Sequence, residues 1–373
     1  MQATAEDHRF PCRQCGADLR FAPGEGRLIC DHCGHEEPVS AAGTPHQPIP
    51  ETDLRRGLEA ALPDTEMQGT RYSKCPNCGA EVEFDPAVHS AECPFCATPV
   101  VADTGTGRHI KPKGLAPFIL TGTEARRAMS DWLGSLWFAP SGLRDYARKG
   151  RSMNGVYVPY WTFDADTASA YRGRRGTVYY ETRSVQVRDQ QGRMRTENRQ
   201  IAKIRWTPVS GRVARFFDDV LVLASRSLPK GHTDALMPWD LSRLEPYRPE
   251  FLAGFRAEGY TVSLDEGMGQ ARAYMDRMIE RDVRFDIGGD RQEIDNIETS
   301  ISDVTFKHIL LPVWTAAYRY RGKSFRFVVN GQTGRVKGER PWSAVKIAVA
   351  VIAAAILAGV AVYLAQYYQQ QGY

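Results

Sequence analysis

Eight cysteines carry the most legible chemistry in the chain. They fall in four C-x-x-C pairs: Cys12/Cys15, Cys30/Cys33, Cys75/Cys78 and Cys93/Cys96. Fourteen residues separate the inner cysteines of each half, and the second set repeats the first at an offset of 63. The repeat extends beyond sulfur. CGADLRFAP from Cys15 to Pro23 is echoed by CGAEVEFDP from Cys78 to Pro86, which marks an internal duplication. Two such knuckles, brought together by the hairpin between them, deliver four thiolates to one tetrahedral point, and that is the zinc-ribbon pattern. Gly16, Gly34 and Gly79 follow three of the knuckles and supply the positive φ the turn requires. Ala97 takes that place in the fourth, which predicts a looser turn.

The spacing predicts two structural Zn2+ ions, one on Cys12, Cys15, Cys30 and Cys33 and one on Cys75, Cys78, Cys93 and Cys96. Iron in a rubredoxin-like site uses similar knuckles and is the competing metal. Disulfides are disfavoured by the cytoplasmic topology derived below, and a redox C-x-x-C needs a βαβ context that is missing. Four cysteines per ion close the coordination shell and leave no position for a catalytic water. His32, His35 and His89 lie near the knuckles, are redundant as ligands, and read as surface residues.

Other chemistry is hard to find. Gly322, Lys323 and Ser324 look like the end of a phosphate-binding loop, but Ala317 stands five positions earlier and the tripeptide sits in a hairpin. No G-x-S-x-G, H-E-x-x-H or Gly-rich dinucleotide fingerprint occurs. The acidic pairs Asp164/Asp166 and Asp218/Asp219 have the residue types for metal or acid–base work, yet at strand ends they read as solvated turns. No catalytic site emerges, and a non-enzymatic protein is expected.

The elements that position the thiols make an α+β multidomain chain: two tandem four-cysteine zinc ribbons, a mostly antiparallel β domain with a few helices, and one C-terminal transmembrane helix. The expected divisions are ribbon 1 at 1–40, a linker with a short helix at 41–70, ribbon 2 at 71–101, an α+β cytoplasmic body at 114–341, the span at 347–365 and a short tail at 366–373. Thr52 or Asp53 caps the linker helix, with Leu54, Leu58, Ala61 and Leu62 on one face. Thr121 with Glu124, and Ser263 with Glu266, are capping boxes. They open helices with apolar faces at Ala125, Ala128, Met129, Trp132, Leu133, Leu136 and Trp137, and at Ala271, Tyr274, Met275, Met278 and Val283. Both tryptophans are expected in the core.

From Asn154 onward five separate strands are predicted, Val156–Phe163, Thr177–Glu181, Ser184–Val187, Lys203–Val209 and Asp219–Ser225, split by Gly and Pro. Asp189–Gly192 reads as a hairpin loop whose polar arms project into solvent. Pro238–Phe255 reads as short helical turns anchored by Leu241, Leu244, Tyr247, Phe251 and Phe255. Tyr318–Val329 reads as a strand ending in an Asn330–Gly331 turn. VPYWT (Val158–Thr162) is echoed by LPVWT (Leu311–Thr315), either as paired strands or by chance.

Ile347–Ala365 is a nineteen-residue apolar run without charge, long enough as a helix to cross a bilayer. Trp342, Tyr363, Tyr367 and Tyr368 flank it as interfacial rings. Arg335, Lys337, Arg340 and Lys346 precede it and no charge follows, so the body is expected in the cytoplasm and the chain on the inner membrane as a tail-anchored protein. Small residues at Ala350, Ala354 and Ala358, with Ala355 and Gly359 beside them, favour self-association or pairing with another single-span helix. The 25% charged content and negative mean hydropathy exclude a polytopic membrane protein. A net charge of +4 spread over 373 residues is no nucleic-acid signature.

The double ribbon, PWDL and PYRPEFLAGF within Pro238–Phe255, VSGRVARFFDDVL (Val209–Leu221) and the closing VVNGQTGRVKGERPWS resemble a family of bacterial membrane-anchored proteins. Its members are labelled TFIIB-type zinc-ribbon-containing and sometimes primosomal-protein-N′-like. The resemblance covers nearly the whole chain and is most specific in the C-terminal half. The primosomal label implies a helicase, and the chain has no nucleotide-binding loop to match. Some members are similar to zinc-ribbon proteins encoded beside phage-shock-protein-A-like or SPFH-type membrane-remodelling proteins, which implies an envelope-stress adaptor with such a partner.

Two functions follow as expectations. The first is a non-enzymatic adaptor that holds a protein partner at the inner face of the membrane. The second is a membrane-tethered nucleic-acid-binding protein of replication or transcription. The ribbon hairpins, with Glu25 and Arg27 in one and Glu81, Glu83, Asp85 and Glu92 in the other, favour the adaptor because acidic tips repel phosphate.

Overall fold

The computed structural model describes residues 10–39, 49–59, 62–63, 66–83, 90–96, 98–101, 105–138, 153–188, 192–320, 323–339 and 342–370. The linker at 40–48, Ala61, Asp85, His89, Ala97, Asp189, Arg340 and the last residues of the tail lie outside them. The first cysteine set is carried on three antiparallel strands, β1 (Leu19–Ala22), β2 (Arg27–Cys30) and β3 (Glu36–Pro38). A short β4 (Thr52–Asp53) leads into α1 (Leu54–Leu58), whose first turn is capped by the Asp53 carboxylate accepting from the Arg56 N–H. The second set follows on β5 (Met67–Lys74), β6 (Glu81–Glu83), β7 (Ser90–Glu92), β8 (Pro99–Val101) and β9 (Gly105–Ile110).

The duplication extends to register. Arg27 pairs with Pro38 between β2 and β3, and Ser90 pairs with Val101 between β7 and β8, each residue 63 positions on. The copies differ in one strand. β1 pairs with β2, whereas β6 pairs with β5, which precedes the cysteines.

The body contributes β10 (Gly114–Leu115) and α2 (Gly122–Ser135), then two long strands, β11 (Asn154–Arg188) and β12 (Met194–Leu223). After β13 (Glu245–Pro246) and β14 (Arg256–Ala257) come α3 (Leu264–Ile287), the third long strand β15 (Arg291–Tyr320), β16 (Lys323–Asn330), β17 (Val336–Gly338) and α4 (Ala344–Gln370). β11 lies between β12 and β15 in a nine-stranded sheet, antiparallel to both. At about 3.3 Å per residue the 35 residues of β11 run on the order of 110 Å. Both predicted capping boxes are present.

Where five strands were expected there are two. Gly173, Gly176, Pro208 and Gly211 lie inside β11 and β12 and do not end them. Gly211 is there because the Tyr171 ring lies over it; an added Cβ would come within 2.6 Å of the phenol oxygen. The echoed segments lie on neighbouring antiparallel strands, β11 and β15, but they meet only at the Val158–Leu311 rung; Pro159–Thr162 faces Lys307–Leu310 and Pro312–Thr315 faces Asn154–Tyr157. Tyr318–Val329 is the hairpin expected around Gly322–Ser324, its arms paired down to the Tyr320–Lys323 rung, with Gly322 itself outside the described residues. On α2, Trp132 packs on Phe327 with ring centroids 5.6 Å apart, but Trp137 just beyond the helix is 78% exposed, against expectation. Tyr274 of α3 is likewise exposed, and Ile279 and Ile287 take the buried positions.

Both ribbons share their core with the body. Leu19, Phe21 and Leu28 pack with Phe118, Leu133, Phe251 and Leu252. Val82, Phe95 and Val100 pack with Val158, Leu311 and Val313 of the long strands. α3 closes the third core over Trp161, Phe163, Phe217 and Phe306. α4 is the exception among the longer helices. An 18-residue window of its stretch Ala344–Tyr367 has a mean hydropathy of 2.7 and no buried residue, so it is a candidate membrane span.

Candidate metal centres

Each knuckle turns back on itself through the backbone. Gly16, Gly34 and Gly79 adopt φ of 76°, 74° and 74°, and their N–H groups donate to the carbonyls of Cys12, Cys30 and Cys75. In the fourth knuckle the Cys93 N–H donates to Thr98 O, as the Cys75 N–H does to Ala80 O. Thr98 also places its hydroxyl oxygen 3.2 Å from Cys96 Sγ. The Gln14 N–H donates to Cys12 Sγ at 3.4 Å.

The turns bring the eight sulfurs into the two predicted sets. Cys12, Cys15, Cys30 and Cys33 gather within 4.8 Å of one another, as do Cys75, Cys78, Cys93 and Cys96. The contacts are 3.6 Å for Cys12–Cys33, 3.5 Å for Cys15–Cys30, 3.5 Å for Cys75–Cys96 and 3.6 Å for Cys78–Cys93. A tetrahedral zinc with bonds of about 2.3 Å needs sulfurs about 3.8 Å apart, so both sets fit it closely. A disulfide needs about 2 Å, and all eight cysteines are free. Both clusters are compatible with structural zinc ions, which would tie knuckle to knuckle and hold each ribbon closed.

The thiols of each set are tuned unequally, with Cys15, Cys33, Cys75 and Cys78 raised and one cysteine in each set lowered. The Cys30 thiol is pulled down to about 6, first by the Cys33 N–H. Cys93 is pulled down to about 5, first by the Cys78 thiol, while Cys78 is pushed up by the same contact and by burial. Cys30 and Cys93 are therefore thiolates near neutral pH, the form that binds metal. The sets differ in shelter. Cys15 and Cys33 are exposed, whereas three sulfurs of the second set are buried and Cys78 is half-buried. His32 is exposed and His35 pairs with Glu37 at 3.3 Å, so neither joins a cluster.

A third group, Asp164, Asp218 and Asp219, brings carboxylates within 4.8 Å. Asp164 is no solvated turn. It is 4% exposed, at a bulge in β11, and accepts from the Asp219 N–H. The Lys307 ammonium lies among the acids, 2.9 Å from Asp219, 3.0 Å from Glu51 and 3.6 Å from Asp164, and supplies the positive charge there. Glu258 is a second buried acid. It accepts from Ser225 and Ser227 and is pushed up to about 8 by burial. Its backbone bridges to Val82, so it sits where ribbon 2 joins the sheet. Sequence reasoning missed Glu51, Glu258 and Lys307. For Asp164, expected as a solvated turn, the usable signal was the buried strand Val156–Phe163 running straight into it, whereas nothing local marks the other three.

Residues 6–38 match the family model for the zinc finger of the RNA-polymerase-I-specific TFIIB protein Rrn7. The chain is similar to the uncharacterized protein YdjG of Bacillus subtilis, 25% identical over 341 residues, covering 91% of this chain and 92% of YdjG. No solved structure matches.

Proposed function

We propose that this protein is a non-enzymatic, membrane-anchored adaptor that binds a protein partner at the cytoplasmic face of the inner membrane. The observation that carries the reading is α4, a wholly uncovered apolar helix on a body whose other long helices bury their apolar faces. Basic residues before it and none after it support a cytoplasmic body. Four thiolates at each centre leave a bound metal no open position, which supports a structural role. Glu81 and the exposed Glu92 keep the second ribbon's surface acidic, which suits a protein partner better than phosphate. Partners of the phage-shock-protein-A-like or SPFH type are the first to look for.

The test is recovery of a stoichiometric protein partner from nuclease-treated membranes in mild detergent. Glu81→Lys with Glu83→Lys should weaken it without loss of zinc, because rim charges steer association while thiolates hold the fold. Recovery of no protein, or recovery indifferent to that change, would overturn the role assigned to the ribbon.

A further inference from the structure

The last rung that β11 shares with β15 is Gly176–Arg291, and beyond it β11 and β12 continue alone to the Arg188–Met194 rung. Twelve residues of strand reach about 40 Å past the sheet. α3 covers one face of β11 and β12 up to its cap at Gly288, packing on Tyr171, Val209, Val213 and Phe217. Past the end of α3 the same face changes from apolar to cationic.

Residues paired across a ribbon share a face, and faces alternate along it. The rungs Thr177–Arg205, Tyr179–Lys203, Arg183–Arg199 and Val187–Arg195 put five cations on the face that α3 vacates. The opposite face carries Thr182, Gln200, Ser184 and Asn198, and Arg188 is its one charge among the described residues. Glu181 and Glu197, the acids on the cationic face, are engaged by Lys203, Arg183 and Arg199. Arg195 and Arg205 have no carboxylate partner among the described residues, and Arg205 stacks on the Tyr179 ring at 5.1 Å. From Arg172 to Arg212 the sequence has eleven Arg and Lys against three Asp and Glu. The whole chain is only +4, so the remainder is net acidic.

We propose that this arm is a nucleic-acid-binding element, its cationic face lying along the phosphate backbone with Tyr179 offered to a base. A two-stranded ribbon fits a major groove about 12 Å wide, and stacking on a tyrosine suits an unpaired strand. The positive charges recur along roughly 30 Å of one line, as a regular polyanion demands. The anionic surface of the chain's own membrane is the weaker fit. α4 follows β16 and β17, which join the sheet at Val313–Tyr320, whereas the arm leaves at Arg291, roughly 70 Å along β15 and far beyond a Debye length of about 8 Å. The arm goes beyond the adaptor reading and does not rest on it.

The test titrates the full chain, in nanodiscs of neutral phosphatidylcholine, against fluorescent duplex and single-stranded DNA between about 50 and 200 mM salt. Binding should weaken steeply with salt. Converting Arg183, Arg195, Arg199, Lys203 and Arg205 to Gln should lower affinity roughly 100-fold and flatten the log–log salt slope by about 4. Ser184→Ala with Asn198→Ala, on the other face, should change neither. Zinc content and circular dichroism of the five-fold variant serve as the fold check. No binding by the wild type, or binding that survives the five substitutions, overturns the proposal. So does arm-dependent sedimentation with phosphatidylglycerol vesicles in the absence of DNA binding. Recovery of a protein partner after nuclease treatment is a separate readout, so either idea can fail alone.

Discussion

Asp164 Oδ2 lies 3.6 Å from Lys307 Nζ across neighbouring long strands, with the two side chains only 6% and 8% exposed. Burial, and then the contact with Glu51, pushes Asp164 up to about 7. Glu51 is held down to about 2, against burial, by its contacts with Asp164, Thr305 and Lys307. The shared proton therefore sits on the buried acid. A raised carboxyl stabilises the fold below its unfolded value near 4, and the contribution is lost as pH rises through about 7. Glu51 acts in the opposite sense and only below about pH 4. Denaturant midpoints of the full chain in detergent should fall between pH 4 and 7, and Asp164→Asn should flatten that fall. Lys307→Met should cost about 3–5 kcal/mol at pH 8 and less at pH 5, where the acids can take up protons. Equal losses at both pH values would show that the lysine does not neutralise these acids.

The two centres should release metal in sequence. Cys15 and Cys33 are open to solvent, while the second set is embedded in the core of Val158, Leu311 and Val313. A chelator reaches an ion by displacing an exposed ligand, so zinc should appear in two equal phases. Cys15→Ser should abolish the fast phase alone. Cys93→Ser should also loosen the body, since Phe95 and Val100 would lose their support. A single phase that releases both ions together would contradict the difference in shelter.

The metal centres were legible because their information is local: ligand spacing, a glycine at positive φ, and a repeat. Capping boxes at Thr121 and Ser263 were legible for the same reason. The lengths of β11 and β12 were not. Gly173, Gly176 and Gly211 punctuate the sequence as turns do, and only the ring of Tyr171 seated on Gly211 shows why a glycine belongs inside a strand. The ion cluster joins Glu51, Asp164 and Lys307, positions remote in sequence that no spacing rule connects. The arm was hidden by averaging, because a chain at +4 overall conceals a basic ribbon balanced by acidic surroundings.

Trp137 should report on lipid. It is 78% exposed just past the end of α2, and the Lys346 ammonium donates to its carbonyl at 3.2 Å. The Phe138 ring beside it lies tilted against that of Trp342, with centroids 6.3 Å apart, and Trp342 is 58% exposed. The end of α2 therefore meets the start of α4, at the level where interfacial rings collect. Shallow lipid-borne quenchers should dim the full-length protein in bilayers, and Trp137→Phe with Trp342→Phe should remove most of that effect. Quenching unchanged by the pair would place this end of the body away from the headgroups.

In lipid, α4 should self-associate. Without a hydrophobic drive between helices in lipid, close approach of backbones supplies the attraction, and small residues permit it. Ala350, Ala354 and Ala358 recur four apart on α4, with Ala355 and Gly359 adjoining them. A Cβ added at Gly359 would meet nothing within 4 Å, so a larger residue there strains nothing within the monomer. Any effect of Gly359→Leu must then be read in the membrane, against a second helix. Energy transfer between labelled copies in liposomes should fall on Gly359→Leu and on Ala354→Leu, while Ile352→Ala should leave it unchanged. Transfer that ignores both leucines would mean that α4 crosses alone.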